Sequence, residues 1–180
     1  MEDLASVERR AARIKLLLMG CDGVLTDGGV MLLEDGDDQK TFNVRDGLGI
    51  VLLHRAGLHS GIISGRISSF VQRRVWELGM AMEYVRQGSV DKVKDFEEML
   101  AKAGIVENEV AFIGDDVTDI PLLQRCELAV AVADAVEEAR SVAHYVTQHP
   151  GGHGAVREVC ELILKAQGRW HELMRPYLRK

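Results

Sequence analysis

The sequence predicts an α/β fold: a Rossmann-like parallel sheet with helices on both faces, a small projecting β-hairpin and no cap domain. Three observations carry this. Apolar runs of strand length recur at Ile14–Met19, Ser60–Ile63, Val110–Ile113 and Leu128–Val132, each followed by glycine, aspartate or serine and then by a helix-like pattern. Such βα alternation favours a parallel sheet whose ligands bind beyond the carboxyl ends of the strands. A chain of 180 residues that is 47% apolar can bury one substantial core, and no repeat or proline-rich linker divides it. Finally, only a hairpin-sized insertion lies between Asp22 and Ser64, and the stretch from Arg66 to Asp115 is taken up by elements that carry Lys92.

In chain order, residues 1–13 read as an N-terminal extension, with charges interleaved among small residues and no continuous apolar segment of a secretory signal. The domain itself spans 14–166. After the first strand, Val30–Leu33, an acidic turn at Glu34–Asp38 and a strand-like run at Lys40–Val44 predict the hairpin. Helices are predicted at Asp46–Ala56, Ile67–Leu78, Ser89–Ala103, Asp119–Arg125, Val136–Ser141 and Ala155–Ala166, several with aspartate or serine near the start and glycine after the end. The tail 167–180, with Trp170, Met174, Pro176 and Tyr177, is less regular and either docks on a neighbouring subunit or frays.

A net charge of −6 argues against a nucleic-acid partner, since a phosphate-tracking face needs clustered Lys and Arg that carboxylates do not offset. A small soluble substrate fits better. No uninterrupted apolar segment reaches the length of a membrane span. Cys21, Cys126 and Cys160 lack CxxC spacing and sit in apolar stretches, as reduced core residues of a cytoplasmic protein do.

Polar groups of complementary kinds follow the strands: Asp22 with Thr26 and Asp27, Ser64 with Gly65 and Arg66, Lys92 near a helix start, and Asp115 with Asp116 and Asp119. Together they suit a phosphoryl group. Carboxylates hold a magnesium ion, a hydroxyl and nearby backbone N–H groups bind phosphate oxygens, and a lysine offsets the crowded anionic charge. His149 and His153 flank Pro150-Gly-Gly as imidazoles of an exposed turn, with no third metal ligand near in sequence; His54, His59, His144 and His171 are scattered.

In order and placement, GCDGVLTDGG, IISGR, Lys92 and IGDDVTD resemble the four successive motifs of the haloacid dehalogenase superfamily. FNVRDGLGI, AVAVADA, YVT and GGHGAVREVCELIL are similar to the 3-deoxy-manno-octulosonate 8-phosphate phosphatases within it. That resemblance implies magnesium-dependent hydrolysis of an acidic sugar phosphate through an aspartyl-phosphate, in the service of lipopolysaccharide biosynthesis. By the same matching Asp22 is the general acid and base, Ser64 and Lys92 bind the phosphate, and Asp22 and Asp115 hold the metal. Substrate contacts fall on Asp22, Asn43, Val44, Arg45, Asp46, Gly47, Arg66, Arg74, Lys92 and Thr118, and an arginine fork suits a carboxylate. The resemblance also implies a capless homo-oligomer, a tetramer, in which the hairpin at Val30–Asn43 or the tail of one subunit covers the site of another.

One departure limits the implied activity. The family motif begins Asp-x-Asp-Gly and its first aspartate is nucleophile and metal ligand, whereas this chain reads Gly20-Cys21-Asp22-Gly23. Glycine has no side-chain oxygen, so no phosphoenzyme can form there and magnesium loses one anionic ligand. Cys21 is no substitute, because neighbouring strand residues face opposite sides. Either a natural chain has lost hydrolysis and keeps binding or assembly, or the position was altered from an active parent; an otherwise intact motif set favours a recent or deliberate change. Val51 and His153, where relatives commonly carry basic residues, leave the exact sugar open. Beside the phosphatase stand a non-catalytic sugar-phosphate-binding or scaffold homologue and a phosphoacceptor signalling domain. The last fits poorly, since Ser64-Gly65-Arg66 follows the strand where an acceptor aspartate belongs.

Overall fold

A computed structural model describes residues 3–34 and 38–178. Its centre is a six-stranded, all-parallel sheet in the order β5-β4-β1-β6-β7-β8, flanked by helices on both faces. The strands are β1 (Leu16–Met19), β4 (His59–Ile63), β5 (Val85–Arg86), β6 (Val110–Gly114), β7 (Leu128–Ala131) and β8 (Tyr145–Val146). Every residue of β1, β6 and β7 is buried, the continuous apolar signature of strands covered on both faces. The chain moves from β1 outward through β4 to β5, then crosses back to β6 on the other side of β1. The strand order therefore reverses at β1, and there the loops diverge to leave a crevice at the carboxyl edge.

One helical layer is formed by α1 (Leu4–Ala11), α2 (Val44–Arg55) and α7 (Ala155–Ala166). In α7 the residues Ala155, Val156, Val159, Cys160, Ile163 and Leu164 make one buried stripe at helical spacing. Helices α4 (Lys92–Ala103), α5 (Ile120–Leu123) and α6 (Glu137–Val142) pack as a second group, while α3 (Ser69–Leu78) follows β4 and contacts α2. Val7 and Ala11 of α1 are buried against the same core, so the described part of 1–13 packs into the domain. The tail also folds onto its own chain: α8 (Trp170–Met174) adds Trp170, Leu173 and Met174 to the core margin, and Arg55 Nη1 donates to the Tyr177 hydroxyl at 2.9 Å. Among the described residues no helix is long and apolar enough to cross a membrane.

Local chemistry explains where elements depart from the sequence expectation. The hairpin pairs β2 (Met31–Leu32) with β3 (Asp38–Gln39) in antiparallel register, and residues 35–37 of the expected acidic turn lie outside the described residues. Lys40–Val44 is not a strand. The Asn43 side chain accepts the N–H of Arg45 at 2.8 Å and starts α2 at Val44, two residues earlier than expected. Helix α4 starts later than Ser89, because Asp91 is the cap and the Ser89 hydroxyl donates instead to Asp95 at 2.5 Å. The expected helix at Asp119–Arg125 is a 3-10 turn, Val117–Asp119, followed by the four residues of α5.

Candidate active site

Four adjacent strands, β5, β4, β1 and β6, deliver their following residues to one cleft of about 340 Å³ at the carboxyl edge, lined by Gly20, Asp22, Ser64, Arg66, Lys92 and Asp115 among others. After β1 the Gly20 N–H still donates to the Ile113 carbonyl, continuing the ladder one residue before the chain turns; the Cys21 carbonyl then accepts from Leu25 at 2.9 Å and Thr26 at 3.2 Å. Cys21 itself is buried in the core. A β-carbon built on Gly20 would lie 3.7 Å from Asp119 Oδ2 and 3.8 Å from Asp115 Oδ1, so position 20 points at the carboxylates.

The cleft is organised by paired charges. Asp22 Oδ1 accepts from the Lys40 ammonium at 2.5 Å, while Asp22 Oδ2 lies 3.8 Å from Arg66 Nε. Lys92, first residue of α4, donates to Asp119 Oδ1 at 2.7 Å and to Thr118 Oγ1 at 3.2 Å. The other Asp119 oxygen accepts the backbone N–H of Asp115 at 3.1 Å, so this buried carboxylate ties Lys92 to the end of β6. Buried Ser64 accepts the Arg66 N–H at 3.3 Å, leaving its hydroxyl hydrogen available to the cleft.

Asp115 sits against the loop after β1. A β-carbon on Gly23, whose φ is +79°, would fall 2.0 Å from Asp115 Oδ2, so only glycine lets the loop close over that carboxylate. Burial, reinforced by the charges of Asp119 and Asp116 and opposed by Lys92, pushes the Asp115 carboxyl up from 3.8 to about 7. Because folding favours its protonated form, the charged form weakens the metal-free fold above the folded value, and the penalty vanishes below the unfolded value. Asp115→Asn is expected to stabilise the metal-free protein by about 1 kcal/mol near pH 8, after discounting for solvent screening, and by nothing near pH 4. Thermal melts at the two pH values check this, and an equal shift at both would refute it.

The structure brings Asp22, Ser64, Arg66, Lys92, Asp115 and Thr118 together around the cleft. Within one chain it does not bring Asn43, Val44, Arg45, Asp46, Gly47 or Arg74 there. Asn43 caps α2, Val44 is exposed, and Arg45 lines a separate cleft with His149, His153 and Arg157. Buried Asp46 accepts the N–H groups of Arg157 at 2.8 Å and Gly154 at 3.2 Å and so ties α2 to the start of α7. Arg74 lies over the Phe42 ring and donates to the Asn43 carbonyl at 3.3 Å, packed against Gly47. Thr26 and Asp27 instead shape the loop, accepting the N–H groups of Gly28 and Gly29. His149 pairs with Glu158 at 2.6 Å, and His153 Nδ1 lies 2.8 Å from the Gly151 carbonyl oxygen.

Two participants escaped sequence reasoning. Lys40 lay in a strand-like run with nothing to mark its contact with Asp22, 18 residues away. The loop 149–154 forms part of the site's foundation, since Gly152 N–H donates to the Val24 carbonyl at 2.9 Å and Gly151 N–H to Asp134 at 2.9 Å. The resembling string GGHG was its one signal.

Comparison with known proteins gives a consistent result. Residues 62–159 match the sequence model of a family described as haloacid dehalogenase-like hydrolase. The 3-deoxy-D-manno-octulosonate 8-phosphate phosphatase of Yersinia pestis is 44% identical over 163 residues, covering 91% of this chain and 86% of its own. Among solved structures, a probable YrbI family phosphatase from Pseudomonas syringae pv. phaseolica superimposes with a TM-score of 0.94 at 41% identity, covering 98% of this chain and 99% of the other. The 3-deoxy-D-manno-octulosonate 8-phosphate phosphatase of Moraxella catarrhalis, in complex with magnesium ion, phosphate ion and KDO, does so with a TM-score of 0.93 at 38% identity over 97% and 99% of the chains.

Proposed function

This chain belongs to the haloacid dehalogenase-like hydrolases, and on that premise we propose that it is a magnesium-dependent phosphatase site for an acidic sugar phosphate, 3-deoxy-D-manno-octulosonate 8-phosphate, in a form without its nucleophile. The observation that carries this is the convergence of Asp22, Ser64, Lys92 and Asp115 on one cleft, with position 20 directed at the same carboxylates. The donor set fits magnesium: hard oxygens only, including a carboxylate that burial and like charges push toward neutrality. Asp115 and the backbone carbonyl of Asp22 would hold the ion, which when bound supplies positive charge against the phosphate oxygens.

The chain's own residues then act as follows. Ser64 and Lys92 bind phosphoryl oxygens, the lysine being aimed by Asp119 and Thr118. Asp22 stands where it would protonate the leaving sugar oxygen and afterwards take a proton from water. With glycine at 20 no group attacks phosphorus, so the substrate binds and is retained. Calorimetric titration of the chain with the sugar phosphate and magnesium is expected to show binding without phosphate release. Failure to bind would refute the assignment.

Gly20 also favours a second reading, a non-catalytic sugar-phosphate-binding homologue; under it, restoring the carboxylate leaves turnover absent. In either case we propose a capless, cytoplasmic homotetramer. The separation of Asn43–Gly47 and Arg74 from the cleft supports substrate contacts made across a subunit boundary, as does the exposed apolar surface of the hairpin at Val30, Met31 and Leu32. Light scattering should return a mass about four times the 19.9 kDa of the chain; a monomer at micromolar concentration would exclude a shared site.

A further inference from the structure

We propose that Lys40 is a positioning residue for Asp22, holding one carboxylate oxygen so that the other faces the leaving oxygen of the substrate. The role rests on the assignment of Asp22 as general acid and base made above. The Lys40 side chain is only 1% exposed, and its ammonium lies 2.5 Å from Asp22 Oδ1. An ammonium taken out of water is strongly destabilising unless it is paired with good geometry, so this contact is built into the site rather than a surface ion pair. The pair also spans 18 residues of sequence, with the hairpin β2–β3 returning the chain so that Lys40 meets Asp22.

The two oxygens of Asp22 are thereby made unequal. Oδ1 is engaged by the buried lysine. Oδ2 has Arg66 as its cation, at the longer distance of 3.8 Å, and that guanidinium is about half exposed on the cleft wall. A free carboxylate turns about its terminal bonds and presents either oxygen, whereas proton transfer needs one oxygen held within hydrogen-bond reach of the reacting group. Lys40, which does not line the cleft, removes that freedom through its contact with Oδ1. The hairpin is consequently coupled to the chemistry, because displacing β3 would withdraw the ammonium from Asp22.

A crystal structure of Lys40→Met in the otherwise unaltered chain needs no turnover. The Asp22 carboxylate is expected to rotate so that Oδ2 no longer lies beside Arg66 Nε; an unchanged orientation overturns the proposal. Kinetics supply a second readout in a Gly20→Asp background. There Lys40→Met should lower kcat about tenfold to a hundredfold while KM stays within about threefold. Added to Asp22→Asn it should cause no further loss, because the residue on which it acts is gone. The same fold-loss with and without Asp22, or a loss confined to KM, would also overturn it. Should Lys40→Met fail to fold, Lys40→Gln is judged by the same criteria. A Gly20→Asp protein without activity, beside a rotated Asp22 in the Lys40 variant, would sink the phosphatase reading and with it the role in proton transfer, while still showing that Lys40 orients Asp22.

Discussion

Replacing Gly20 by aspartate is expected to raise phosphate release from the sugar phosphate by about four powers of ten or more, the scale of what loss of a nucleophile removes elsewhere. The chain with glycine at position 20 should show little or none. The geometry permits the replacement: a β-carbon at position 20 meets Val24 Cγ2 at 3.2 Å, which a small shift of one methyl relieves, and otherwise approaches only the oxygens of Asp119 and Asp115. The new carboxylate could attack phosphorus, displacing a sugar oxygen that takes its proton from Asp22, and the acyl phosphate would then be cleaved by water activated by the same residue. Crowding a further anion beside Asp22, Asp115 and Asp119 should weaken the metal-free fold and tighten magnesium binding, since one anionic ligand is added. Steady-state phosphate release and calorimetry with magnesium measure both. Substantial turnover by the unaltered chain would refute the account and point to direct attack by water assisted by Asp22, and magnesium affinity insensitive to Gly20→Asp would remove residue 20 from the metal site.

The largest effect on stability is expected from Gly151→Ala. Its β-carbon would fall 1.8 Å from the Gly23 carbonyl oxygen and 2.5 Å from the carbonyl carbon, contacts with backbone that no side-chain rotation relieves. Either the loop 149–154 or the loop after β1 must move, breaking the bond from Gly152 N–H to the Val24 carbonyl. A destabilisation of about 3 kcal/mol follows from overpacking of this kind, and the melting temperature should drop by about 6–12 °C. Because Gly23 also closes over Asp115, ligand affinity should fall with stability. Scanning calorimetry with and without magnesium and phosphate tests the two together, and a melting temperature within about 2 °C of the parent would show that the loops are not locked.

The fold and the centre of the site were legible for the same reason. Strands β1, β4, β6 and β7 are covered on both faces, so burial left continuous apolar runs that stand out from the polar residues after them. Because ligands sit beyond strand ends in such sheets, placing the strands also placed Asp22, Ser64 and Asp115. Edge strands β5 and β8 are two residues each and leave no run to detect. The start of α2 was misplaced because Lys40–Val44 alternates like a strand, while the bond that decides it, from Arg45 N–H to the Asn43 side chain, is local and polar.

By itself, then, the sequence determined the parallel α/β architecture, the polar residues that follow its central strands, and the glycine at position 20. Each of these is written in side-chain type and short-range order. Tertiary structure decided how those residues are held: Lys40 on Asp22, Lys92 on Asp119, Gly23 over Asp115, Gly151 against Gly23, and Asp46 turned to the backbone of α7 rather than to the cleft. These contacts join residues distant in the chain or depend on which oxygen of a carboxylate faces which neighbour. Neither composition nor periodicity encodes that geometry, because it arises only when the loops of several strands are brought to one edge of the sheet.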